Sequence, residues 1–346
     1  MNKLTKVGCS ALCGSLAAIS AANAGDMTVT GGVDMSWISL DNNTTGNPIG
    51  MGSNLTFKGS GELDIGWTFD YTVAMLNQDA YSSAAVSINM GGLGKLNINQ
   101  GDSGNGIDAY DDKMPTAWEE PWGNGLSTGI QLVTGVGTSN NMQYTTPTML
   151  GITLTGALAP QAGSADTGDK GSGGVSAGAG KIMDGVININ PSMGTEILSG
   201  LDMFVGASVT ENYDNADATP SNNKYEAVSG ITYDIGPLSL GFGKSGIQTG
   251  ETTSTTGVDF YRNTMYGVAL NINDDLSLSY GFQSSRKHFV NPDSGGQVST
   301  TEVESYQISY TMGGASLRVA ETKGKNLSYS QGNDKDATVV SLSLAF

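Results

Sequence analysis

Thiols are all but missing from this chain. Its two cysteines, Cys9 and Cys13, lie within the first 24 residues. If that segment is removed on export, the rest can form no disulfide, thiolate nucleophile or cysteine metal site. Histidine is as scarce. His288 stands alone, so His-rich metal centres are excluded and any Ser-His-acid triad would rest on one residue. Basic charge is low, with 16 Lys and Arg against 33 Asp and Glu and a net charge of −17. Nucleic acid needs a basic footprint and is not an expected partner. Charged residues reach only 14%, against about 25% in soluble domains. No apolar run after Gly25 approaches the roughly 20 residues of a membrane helix. The nine prolines interrupt none of the alternating runs described below. Gly241-Phe242-Gly243-Lys244-Ser245-Gly246 imitates a nucleotide loop, but Leu238 stands where a phosphate loop needs Gly and no helical pattern follows. No cofactor and no enzymatic activity are expected.

The N-terminus has the three parts of a secretory signal. Lys3 and Lys6 open it, a mildly apolar stretch runs from Val7 to Ile19, and Ala22-Asn23-Ala24 supplies the small-x-small pattern. Cleavage is expected between Ala24 and Gly25, leaving 25–346 as a single domain. Neither Cys9 nor Cys13 sits in a lipidation context. The exported chain is therefore either soluble outside the cytoplasm or crosses a membrane as strands.

Period-two alternation favours strands that cross. Leu63, Ile65, Trp67, Phe69, Tyr71, Val73 and Met75 share one parity, with Glu62, Asp64, Gly66, Thr68, Asp70, Thr72 and Ala74 on the other. The pattern recurs at Leu276, Leu278, Tyr280 and Phe282 against Ser277, Ser279, Gly281 and Gln283, and at Tyr306, Ile308 and Tyr310 against Gln307, Ser309 and Thr311. A soluble sandwich, as in a secreted adhesin, would carry Lys and Glu on its polar faces. Here those faces hold Ser, Thr, Gly, Asn and Asp.

Sixteen such runs are read, near 27–38, 53–60, 62–76, 83–90, 95–100, 141–147, 151–159, 184–190, 198–210, 224–235, 238–244, 260–272, 276–285, 302–312, 315–322 and 336–346. Short turns such as Gly236-Pro237 and Gly313-Gly314 alternate with long polar connections. The expected fold is all-β, a 16-stranded antiparallel up-and-down transmembrane barrel, wide enough for an aqueous channel. The last run, from Asp336, stops on an aromatic, Phe346.

With the signal, the opening strand after Gly25, the segment Gly94-Lys95-Leu96-Asn97-Ile98-Asn99-Gln100-Gly101-Asp102 and the terminal Phe346, the whole mature chain resembles the trimeric general diffusion porins of Gram-negative outer membranes. The resemblance implies an outer-membrane location, a homotrimer, lipid and lipopolysaccharide around the barrel, and a third loop folded inward to narrow it. It also implies that Phe346 is part of the signal read by the barrel-assembly machinery.

That third loop is 101–140, the longest connection. It carries Asp102, Asp108, Asp111, Asp112, Glu119 and Glu120, with Lys113 as the base among them. Carboxylates around a narrow watery passage favour cations. The charges expected to face the lumen are Asp34, Lys58, Asp64, Asp70, Lys95, Asp202 and Arg318, the bases lying near the short-turn end. The family's arginine cluster is absent, since Arg262, Arg286 and Arg318 are the only arginines. The expected function is passive diffusion of ions and small hydrophilic solutes with a weak cation preference. The alternative is a channel selective for sugars or organic acids, for which Tyr110, Trp118 and Trp122 would form a stacking slide; packing against the wall is the simpler role for them. Asp111-Asp112 could bind Ca²⁺ weakly, though solvated acids are the default and no metal site is expected. His288 with Arg286 and Lys287 reads as a solvated loop cluster, and 161–180 as a flexible loop.

Overall fold

The computed structural model describes residues 25–346 apart from 42–45, 78, 80, 164–179, 192–197, 214–221, 252–256 and 292–299. Sixteen strands are present: β1 (Met27–Asp41), β2 (Ile49–Glu62), β3 (Thr68–Leu76), β4 (Ser83–Asn89), β5 (Lys95–Gln100), β6 (Asn141–Thr145), β7 (Ile152–Ala159), β8 (Ile182–Ile189), β9 (Leu201–Tyr213), β10 (Asn222–Ile235), β11 (Leu238–Gln248), β12 (Val258–Asn271), β13 (Leu276–Phe289), β14 (Thr300–Met312), β15 (Ala315–Lys325) and β16 (Lys335–Ala345). Each pairs antiparallel with its sequence neighbours, and β1 pairs with β16 to close the barrel. Phe346 adds a last pair of backbone hydrogen bonds to Gly31, at 3.0 and 2.9 Å. Closure leaves no unpaired edge, the condition for placing strands in lipid. Two stacked sheets are not present, which removes the sandwich alternative.

Which face is apolar decides the environment. The outward row Met203–Ile231–Phe242–Tyr266–Phe282 runs unbroken across β9 to β13. Exposed Val205, Leu240, Val268, Ile308 and Leu342 share that side. Tyr266 stacks on Phe282 with ring centroids 4.9 Å apart, and Tyr280 meets Tyr306 at the same separation, the aromatic belt of a membrane interface. Water would penalise so much exposed apolar surface, whereas lipid favours it.

Turn chemistry sets the register. β10 and β11 are joined by Gly236-Pro237 and β14 and β15 by Gly313-Gly314; Gly236 and Gly313 have φ of 58° and 57°, which side chains with a Cβ rarely adopt. Several elements depart from the sequence reading. The run expected over 62–76 forms a strand only from Thr68, because Leu63 to Gly66 close the β2–β3 hairpin. Asp64 therefore sits in an exposed turn and does not face the lumen. β13 continues through Arg286, Lys287 and His288, so that cluster is strand, not loop. β1, β2, β11 and β15 also run a few residues beyond expectation, shortening the loops they bound. The signal segment 1–24 and most of 161–180 lie outside the described residues.

Candidate functional site

The third long connection, 101–140, enters the barrel and lies against its inner wall. Ile107, Met114 and Val133 from the loop bury against Val186, Phe204, Val228, Ile247 and Met265 of the wall. These wall residues occupy inward positions that the alternation reserves for polar groups. Farther on, Leu126 packs with Val303, Leu327 and Ala337, and on the return Val136 packs with Ala157, Ala159 and Ile182. Loop 3 thus carries its own hydrophobic core inside an otherwise polar interior.

Close approach of two backbones requires glycine in the wall. A Cβ at Gly241 would lie 2.4 Å from Pro115 Cδ, and at Gly281 2.6 Å from Pro121 Cγ. The nucleotide-loop imitation at 241–246 has its explanation here: Gly241 and Gly243 are seats for Pro115 and Met114.

Polar clamps fix the loop's path. Asp184, Ser208 and Glu226 stand in one cross-strand row on β8, β9 and β10. Asp184 Oδ2 accepts the backbone N–H groups of Ile107 and Val136, at 3.1 and 3.0 Å. Glu226 accepts those of Thr134 and Gly135, at 3.1 and 3.0 Å, and pairs with Lys224 Nζ at 3.0 Å. On the far side Gln307 Oε1 accepts the Trp118 and Glu119 N–H groups, while its Nε2 donates to the Glu119 carbonyl at 2.6 Å. Nothing local in the sequence marks these buried residues as clamps.

The six loop acids are all half-buried. Asp108 accepts the Gly104 N–H at 2.7 Å, and Asp112 accepts Trp122 Nε1 at 3.1 Å. Asp111 stands beside Asp112 and Glu120 beside Glu119, and like charges so placed resist ionising. Burial, then the neighbouring Asp112, pushes Asp111 up to about 9. Burial, then the Glu119 hydrogen bond, pushes Glu120 up to about 7. Asp102, Asp108 and Asp112 are raised too, each chiefly by burial. Asp112 and Glu120, with Lys113, Thr232, Asp234 and Asn271, line a recess of about 460 Å³ between the loop and β10–β12.

Several lumenal bases are matched by carboxylates. Lys58 Nζ lies 3.3 Å from Asp70, Lys113 Nζ 3.7 Å from Asp202, and Arg318 Nη1 3.2 Å from Asp34. Lys95 starts β5 at the short-turn end. By contrast, none of the six loop acids stands in an ion pair among the described residues. Arg318 reaches farther than expected: its guanidinium carbon lies 5.7 Å from the centre of the Trp118 ring, so it touches loop 3 itself.

Two of the loop aromatics are held by neighbours. Tyr110 lies on Phe204 with centroids 4.9 Å apart, and Trp122 is tied to Asp112. No group of three or more acidic, His or Cys side chains among the described residues is arranged to hold a metal.

Comparison with known proteins agrees with this geometry. The profile of the Gram-negative porin family matches residues 8–346. No curated protein matches the chain. Among solved structures, OmpF of Salmonella typhi in complex with daunomycin is 10% identical, with a TM-score of 0.69 over 93% of this chain and 98% of its own. The anion-selective porin of Comamonas acidovorans is 14% identical, with a TM-score of 0.65 over 93% and 100%. The trimer form of Vibrio cholerae OmpT is 9% identical, with a TM-score of 0.64 over 93% and 100%. With a closed 16-stranded barrel that is apolar outside and polar within, an inward-folded third loop and a family match across nearly its whole length, the chain belongs to the Gram-negative porins, channel proteins of the outer membrane.

Proposed function

We propose that this porin passes ions and small hydrophilic solutes by passive diffusion and prefers cations weakly. The observation that carries the preference is the charge pattern at loop 3. Lys58, Lys113 and Arg318 each stand beside a carboxylate, whereas Asp102, Asp108, Asp111, Asp112, Glu119 and Glu120 face no base within ion-pair distance. An excess of negative charge between low-dielectric walls concentrates cations. The raised pKa values of Asp111 and Glu120 keep the excess below its formal value, hence a weak preference.

Bond-making chemistry has no support in the site. His288 faces outward beside the Phe260 ring, 5.8 Å between centroids, so no histidine reaches the lumen. Of the aromatics in the sugar-slide alternative, Tyr110 packs on Phe204 and Trp118 lies against Arg318, which favours the diffusion reading. A homotrimer is part of the proposal. β4 to β8 have only 5 to 8 residues each, below the roughly 9–11 that a lipid-exposed strand needs, so a neighbouring copy would cover that side. The proposal also takes Ala24–Gly25 as the cleavage site, Phe346 as the assembly signal read by the barrel-assembly machinery, and lipid with lipopolysaccharide as the outer surroundings.

Liposome swelling with neutral sugars of graded size, alongside single-channel recording, tests the transport reading. Rates that fall smoothly with solute size and conductance that rises linearly with salt support free diffusion. Saturable block by one sugar or organic acid would replace it with a substrate-selective channel.

A further inference from the structure

Arg318 is the only arginine on the lumenal side of the barrel; Arg262 and Arg286 stand opposite each other on the outward face of β12 and β13. It rises from near the short-turn end of β15 to meet loop 3. Three contacts define its state. Its Nη1 donates to Asp34 Oδ1 on β1 at 3.2 Å, and Ser341 Oγ on β16 holds the same oxygen at 3.4 Å. The Trp118 ring lies over the guanidinium at 5.7 Å. The Arg318 Nε is buried with no hydrogen-bond partner, and Asp34 is the one carboxylate paired with this arginine among the described residues. Trp118 is in turn fixed by Gln307 through its backbone N–H. The cation is therefore held at the constriction by a single opposite charge.

We propose that Asp34 is a specificity-determining residue of this pore, because it cancels the positive charge that Arg318 holds at loop 3. A pair at 3.2 Å acts on a passing ion as a dipole, whose field fades faster with distance than that of a charge. Asp34 is the more exposed partner, at 54% against 26% for Arg318, so its carboxylate meets the water column more than the arginine does. The Lys58–Asp70 pair makes a fitting comparison: at 3.3 Å it has similar geometry, and it joins β2 to β3. This inference rests on the cation preference proposed above and names the residue that maintains it.

Asp34→Asn keeps the size and an acceptor oxygen for Arg318 while removing the charge. In planar bilayers with a KCl gradient, it lowers the potassium-to-chloride permeability ratio by roughly twofold or more, the scale of one charge freed a few ångströms from the ion path. Asp70→Asn, an equal loss of charge elsewhere, moves the ratio less. The double variant Asp34→Asn/Arg318→Gln returns the ratio to that of the unaltered protein, because the freed cation is gone. If Asp34→Asn shifts the ratio no more than Asp70→Asn, or if the double variant fails to restore it, the proposal is wrong, the second result marking a structural effect on loop 3. Should the unaltered protein prefer anions, the general cation reading fails, yet the single-versus-double comparison still reports whether Asp34 cancels Arg318.

Discussion

Glu120 and Asp111 decide how the pore responds to pH. Their pKa values are pushed up to about 7 and about 9, so both carry protons that ordinary carboxylates would have lost. Raising the pH through 7 and then 9 removes these protons, adds negative charge to loop 3 and strengthens cation preference; lowering it does the reverse. Reversal potentials between pH 5 and 10 are expected to become steadily more cation-selective. Glu120→Gln removes the lower step and Asp111→Asn the upper one, and a flat profile in the unaltered protein would contradict the raised pKa values of these two acids. At the same scale, Glu226→Gln weakens two backbone hydrogen bonds and the Lys224 pair. Charged hydrogen bonds of this kind contribute about 1.5–3 kcal/mol each. The variant is expected to show noisier open-channel current and faster protease cleavage within the 126–140 arm, while the barrel itself stays folded.

At the scale of elements, the strands were legible because period two is a strong local signal and lipid makes it stronger. Tyr306, Ile308 and Tyr310 had to face out together once their polar neighbours faced in. Ends were less legible. Leu63, Ile65 and Trp67 keep the strand parity yet belong to a turn, because Gly66 with φ of 78° lets the chain reverse within a pattern that looks continuous. The inner seat of loop 3 was hidden for another reason. Phe204, Val186 and Met265 break the polar parity of their strands, and such breaks look like noise until a second segment is known to lie on them. The loop acids were visible as a cluster, but their pairing with one another, and the cancelling of Arg318 by Asp34, depend on contacts between residues far apart in sequence. The seat itself is testable. Gly281→Val places new atoms where Pro121 packs, and overpacking of this kind costs typically about 1–3 kcal/mol. The loop is expected to shift toward the channel axis and single-channel conductance to fall, with unchanged outward-face stability. Conductance equal to that of the unaltered protein would mean that Pro121 does not rest there.

For the whole molecule, the inside-out distribution of polarity is what makes a channel of these strands. The outer face must remain apolar at mid-height: Val205→Lys, on the outward side of β9, is expected to destabilise the barrel by about 2–4 kcal/mol if it lies near the bilayer midplane, read as a lower denaturant midpoint for refolding in lipid. Ser208→Lys would place the same charge on the inner side of that strand beside Asp184 and Glu226, where it perturbs the loop clamp and the current more than the barrel. The contrast reports the direction in which each face points. The charge balance of the lumen reports its function, and it is read most directly by one quantity: the zero-current potential of the purified, unaltered protein in a planar bilayer across a tenfold KCl gradient at pH 8. A sign showing faster passage of potassium is the predicted result. A sign showing faster passage of chloride would contradict a pore whose loop acids govern the ion path.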